Sequence, residues 1–212
     1  MKRKKIHSIA TSAVAAAFTA LAFAAAPSSP LPEPPAMAER EGLDAFETVR
    51  AVLQHPRCQN CHIPGDAPLQ FDEGRPHAQN VVRGADGRGA SGFSCTTCHG
   101  AANPPTAWGL HMPPGAPNWH LPPPERKMVF IGLSSSELCR RLKDRGQNGG
   151  KDLAALTRHV SEDKLVLWGW SPGVGRAPVS VPHEEFVAKF SAWVAAGAPC
   201  PAQPSGGSGT GN

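Results

Sequence analysis

Cys58-Gln59-Asn60-Cys61-His62 and Cys95-Thr96-Thr97-Cys98-His99 are the two stretches on which the reading of this 212-residue chain turns. Both have the form C-x-x-C-H. Two thiols three positions apart can each add to one of the two vinyl groups of a haem, and the next residue places an imidazole beneath the iron. Covalent attachment and proximal ligation then come from five consecutive residues. The spacing predicts two haem c groups, held covalently by Cys58, Cys61, Cys95 and Cys98, with His62 and His99 as proximal iron ligands. The rival use of paired C-x-x-C motifs is a four-thiolate zinc site or a redox disulfide. Either rival leaves the histidine after each pair unexplained.

Working outward, two of the six cysteines remain, Cys139 and Cys200. In an oxidising compartment their simplest use is a disulfide. Closing a loop of that length would stabilise by about 4 kcal/mol in the chain-entropy account. The compartment is read from the N-terminus. Lys2, Arg3, Lys4 and Lys5 form a basic region, and Ile9 to Ala26 is almost entirely small or apolar, as in a secretory signal. Ala22-Phe23-Ala24 offers a cleavage site, and Ala36-Met37-Ala38 offers a later one. With the signal cleaved, no stable membrane span is expected. The chain carries 21 basic and 17 acidic residues; 21 less the four of the signal leaves 17 against 17. A near-neutral mature chain gives no reason to expect nucleic acid as a partner.

The chain divides into a signal peptide over 1–24, with the cut as late as 38, a proline-rich linker over 25–40, a dihaem cytochrome c domain over 41–200 and a disordered tail over 201–212. Leu43, Phe46, Val49, Val52 and Leu53 recur at intervals of three and four, predicting an amphipathic helix over 41–54. Ser134 to Leu142 and Asp152 to Val160 read as short capped helices. Val181 to Ala196 gives the clearest helix, closed by Gly197. From Ile63 to Phe93 and from Ala101 to Pro124 only turn signals and prolines appear, which predicts irregular chain wrapped against a cofactor. The expected class is mainly α with extensive irregular loops, like a multihaem cytochrome c with a haem-centred core.

What occupies the far side of each iron decides the chemistry. A histidine or methionine there makes an electron carrier, and an open position permits peroxidase or ligand-binding chemistry. His77, His111 and His120 lie in proline-braced irregular segments near the motifs, and two of these three are expected as distal ligands. Met112 competes with His111, and Met128 is a further thioether. His55 lies close to Cys58, His159 ends one helix and His183 begins another; these three read more readily as capping or packing residues.

His55-Pro56-Arg57-Cys58-Gln59-Asn60-Cys61-His62, Gly74-Arg75-Pro76-His77 and the block from His111 to Pro124, with Asn118-Trp119-His120 at its centre, carry a resemblance. Glu137-Leu138-Cys139, Gln147-Asn148-Gly149-Gly150 and Leu167-Trp168-Gly169-Trp170 extend it. The chain resembles exported bacterial dihaem cytochrome-like proteins that often carry the label isoquinoline 1-oxidoreductase subunit. The resemblance implies a redox partner in the periplasm, a molybdenum hydroxylase that passes electrons to haem. No molybdopterin-sized domain or iron-sulfur cysteine set is present here, so this chain would be the electron outlet of such a complex. The expected function is a periplasmic electron relay between an oxidoreductase and a respiratory acceptor, not itself an enzyme. The alternative is a small dihaem peroxidase with one open iron.

Overall fold

The computed structural model describes residues 36–203. The expected signal peptide, residues 25–35 of the linker and residues 204–212 of the tail lie outside the described residues.

The first helix, α1, spans Met37–Leu53. It starts four residues before the expected Glu41, so the end of the expected linker is helical. Ala36-Met37-Ala38-Glu39-Arg40 consists of good helix formers and needs no partner to continue the helix toward the N-terminus. Ala45, Phe46, Val49 and Val52 are almost fully buried along one stripe. That stripe packs on α6, His183–Ala195, whose Phe186, Phe190 and Trp193 point back at it. Gly42 lets the two ends meet: a Cβ there would fall 2.6 Å from Ala196 Cβ and 2.8 Å from Pro199 Cγ.

Between these helices lie α2, Pro56–Gln59, then α3, Ser135–Lys143, α4, Leu153–Glu162, and α5, Lys164–Leu167. The Ser134 side chain and Glu137 form a reciprocal capping box at the start of α3, and Asp152 caps α4 through the Ala155 amide. A tight turn over Trp168–Trp170 follows α5. The described chain is therefore mainly α. Its long irregular part contains short 3-10 turns and two antiparallel hairpins, β1 (Leu69–Gln70) with β2 (Arg75–Pro76), and β3 (Gly89–Ala90) with β4 (Phe93–Ser94). Among the described residues no helix is long and apolar enough to cross a membrane.

The proline-rich composition suggests little regular structure for a core, yet α1, α3, α4 and α6 build one. Phe46, Leu138, Leu142, Leu156, Phe186, Phe190 and Trp193 belong to a single buried apolar cluster. The Cys139–Cys200 disulfide forms as expected, across a separation of 61 residues. It fastens α3 to the chain just beyond α6. The Trp193 indole donates to Pro199 O at 2.9 Å and holds the same end closed.

Candidate functional site

The first C-x-x-C-H motif follows from α1 by one short turn. His55 accepts a hydrogen bond from the Arg57 amide through Nδ1, and Pro56 opens α2. Cys58 therefore sits on a helical turn fixed to the end of α1. Cys61 and His62 leave that turn together and enter the wall of a cavity of about 320 Å³. The size falls within the range of small-cofactor sites. Val52, Leu53, Leu142, Leu156, Phe186 and Phe190 line it from the helical core. Trp119, Trp168 and Trp170 line it from elsewhere.

His62 is held in one orientation. Its Nδ1 donates to Met128 O at 2.7 Å, and its ring stacks on Phe130 at 3.8 Å between centroids. A proton on Nδ1 leaves the lone pair on Nε2, the tautomer a metal ligand requires. Burial pushes the imidazole down to about 4, so the ring is neutral at physiological pH. Burial likewise pushes the Cys58 thiol up to about 12 and the Cys61 thiol up to about 11.

The second motif lies in the loop region, where Cys95–Thr97 forms a short 3-10 turn after β4. The Cys95 amide donates to Arg88 O at 2.9 Å, and Cys98 is exposed. His99 repeats the arrangement of His62: its Nδ1 donates to Pro114 O at 2.8 Å, and its ring stacks on Trp119 at 4.3 Å with planes 5° apart. Gly115 permits the close approach that brings Pro114 there, because a Cβ at Gly115 would strike the backbone of Ala102. Burial lowers the His99 imidazole as well.

The structure separates the three distal candidates. The His77 ring lies 6.1 Å from that of His99, centroid to centroid, with planes 65° apart. Metal–nitrogen bonds of about 2 Å place two imidazoles on opposite sides of one metal at a centroid separation of about 6 Å. The His77 Nδ1 donates to Ala78 O at 2.8 Å, which again leaves Nε2 to face a metal. His120 borders the cavity with His62, and its Nδ1 donates to Asn118 O at 2.5 Å. His111 is exposed and set edge-on to Phe71 at 5.3 Å, beside neither proximal histidine.

Among the residues read as capping or packing, His55 caps α2 as described. The His183 Nε2 is taken by Val160 O at 2.9 Å. His159 differs from that expectation, because it borders the cavity with His62 and its Nδ1 lies 3.2 Å from Asp163 Oδ2. The hydrogen bond from His159 holds the Asp163 carboxyl at about 2, so the carboxylate is present to orient the ring. Met128 serves through its backbone carbonyl, and Met112 O accepts from Arg176 Nη2 at 2.6 Å.

Sequence reasoning missed Trp119 and Trp168 as elements shared by the two sites. Trp119 stacks on His99, meets Trp168 edge-on at 5.0 Å and borders the cavity of His62. The Trp168 indole donates to Asn103 Oδ1 at 3.1 Å, which also accepts from the Gly115 amide. Both tryptophans belong to the blocks that carry the resemblance, but nothing in those blocks says that they meet. Among the described residues no group of three or more His, Cys, Asp or Glu side chains converges as it would around a bare metal ion. The donors instead come as cysteine pairs followed by a single imidazole, and at the first motif they border a cavity with largely apolar walls, a set that could hold a covalently attached group there. No protein-family model matches this chain, and neither a curated protein nor a solved structure does, so its function is read from this geometry.

Proposed function

We propose that the chain is an exported dihaem c-type cytochrome that relays electrons in the periplasm and is akin to the dihaem family it resembles. The observation that carries this reading is the repeated treatment of the two motif histidines. His62 and His99 each give Nδ1–H to a backbone carbonyl, each stack on an aromatic ring, and each leave Nε2 unprotonated. Two unrelated segments of chain do the same work after each C-x-x-C pair, in the way second-shell partners fix metal-bound histidines.

Haem supplies one-electron chemistry at the iron; the chain supplies attachment, axial ligands and dry surroundings. Cys58 and Cys61 would hold one group beside the helical core, and Cys95 and Cys98 would hold the other among the loops. His77, beside His99, and His120, which borders the cavity of His62, are the candidate second ligands, and His111 is left without a ligand role. Holding both groups, the protein would pass electrons between an oxidoreductase, such as a molybdenum hydroxylase, and a respiratory acceptor.

Intact mass after denaturation, with the optical and electron paramagnetic resonance spectra of the oxidised protein, tests this. Two haem masses above the cleaved polypeptide and two low-spin irons are expected. A mass matching the bare polypeptide would refute the reading. Two haems with one high-spin iron that binds cyanide would replace the relay with a haem enzyme.

A further inference from the structure

Arg57 stands immediately before Cys58 and is 7% exposed. One edge of its guanidinium is occupied, since Nη2 donates to the Asp72 carboxylate. Its face lies over the Trp168 indole, 5.8 Å from the ring centroid. Its Nε is buried without a hydrogen-bond partner, and the residue borders the same cavity as Cys58, Cys61 and His62. A buried donor of a charged group left unpaired is destabilising. Asp72 cannot relieve it by swinging inward without cost, because its other oxygen accepts from the Ala177 amide at 3.1 Å.

Arg83 is also buried and its Nε also lacks a hydrogen-bond partner, but the rest of its guanidinium is held by backbone carbonyls. Arg83 donates to the carbonyls of Ile63, Gly65 and Pro122 and does not border the cavity. It ties three loop segments together. Arg57 makes no such set of backbone bonds with its side chain, and its guanidinium is oriented by Asp72 on one edge and Trp168 on one face. A planar fork held in this way is suited to a carboxylate on its free edge.

We infer that Arg57 anchors a carboxylate of the group seated in the cavity, which is a propionate of the haem at Cys58 and Cys61. The inference rests on the haem reading and deepens it, by giving the first site a cationic anchor. A cation fixed beside the first haem stabilises its reduced form, so Arg57 raises the potential of that haem.

The test uses the mature holoprotein with Arg57→Gln, Arg57→Lys and Asp72→Asn. Each is examined by redox titration, resonance Raman spectroscopy of the propionate-bending bands, and intact mass. Arg57→Gln should lower the potential of one haem, leave the other unchanged and shift one propionate band. Arg57→Lys should restore most of the potential and leave the band shifted, because it keeps the charge and loses the planar fork. Asp72→Asn should raise the same potential. A charge effect without a contact would move the potential in Arg57→Gln but leave the band unmoved in both arginine variants, and would overturn the inference. Parent-like bands and potentials with two haems in the mass would also overturn it while leaving the dihaem reading intact. Absence of haem from the parent mass would overturn the reading itself. Should Arg57→Gln fail to fold, the Lys variant alone carries the band test.

Discussion

The two C-x-x-C-H motifs share a sequence pattern and differ in almost everything that surrounds them. The first is attached to the end of α1 and faces a cavity in the wall of a helical core. The second is set in loops, with Cys98 exposed and two hairpins of two residues per strand in the chain that leads to it. What the two keep in common is the handling of one side chain: an imidazole fixed by a carbonyl on Nδ1 and an aromatic ring on its face. The chemistry needs that imidazole, and the fold can supply its supports from either architecture. The difference shows that the helices stabilise one site while the other depends on loop hydrogen bonds and close glycine contacts.

The largest expected effects break this comparison one site at a time. His77→Ala should convert one haem completely to high spin and leave the other low spin, and His120→Ala should do the same to the other haem. His111→Ala should leave both spectra unchanged. His159→Ala sharpens the point within the first site, since His159 borders the same cavity as His120. It should leave both irons low spin; conversion of the first haem in His159→Ala and not in His120→Ala would exchange their roles.

Next in size is the helical side alone. Phe190 is fully buried and belongs to both the core and the cavity wall. Phe190→Ala should destabilise by about 3–5 kcal/mol in denaturant titration. The optical bands of the first haem should broaden while those of the second keep their parent shape. Opening the disulfide with Cys139→Ser and Cys200→Ser together should cost about 2–4 kcal/mol. The loss should again be read in the helical transition and not in the second haem spectrum.

The smallest effect belongs to the cap of α3. Ser134→Ala should cost about 1 kcal/mol in the same titration. Hydrogen bonds from Ser134 hold the Glu137 carboxyl below its usual range. A depressed carboxyl stabilises the fold above its unfolded pKa, so this contribution is present at neutral pH and is lost as the pH falls through the depressed value. Glu137→Gln should therefore be less stable than the parent at pH 7 and converge with it at the acid end, where the parent has lost the same contribution.

Much of this was legible in the sequence because it is local. The motifs state their own chemistry in five residues, the capping box of Ser134 and Glu137 announces α3, and leftover cysteines in even number point to their pairing. The stripe of Phe46, Val49, Val52 and Leu53 gives α1, although its start was obscured by the prolines before Met37. The rest depends on contacts between distant segments. Nothing near His159 says that the end of α4 faces His62, and nothing near Trp119 says that its ring reaches both sites. His77 and His111 read alike, as histidines beside prolines, and only the path of the loops distinguishes them. Arg57 reads as a charged residue on a short helix until burial and the unpaired Nε mark it as something else.

One feature of the first site bears on the order in which the protein is made. The thiolate is the reactive form of cysteine, and burial pushes Cys58 up to about 12 and Cys61 up to about 11. At neutral pH a thiol at about 12 is ionised in roughly one molecule in 10⁵. Once the helices have closed around the cavity, that pair of sulfurs is present almost wholly as the unreactive thiol. Cys98, by contrast, remains on the surface. If a group is attached at both motifs, attachment at the first is favoured before the helical half closes, while the second motif stays open at Cys98 afterwards. Synthesis from the N-terminus favours the same sequence, because the first motif is made before α3, α4 and α6 exist to enclose it.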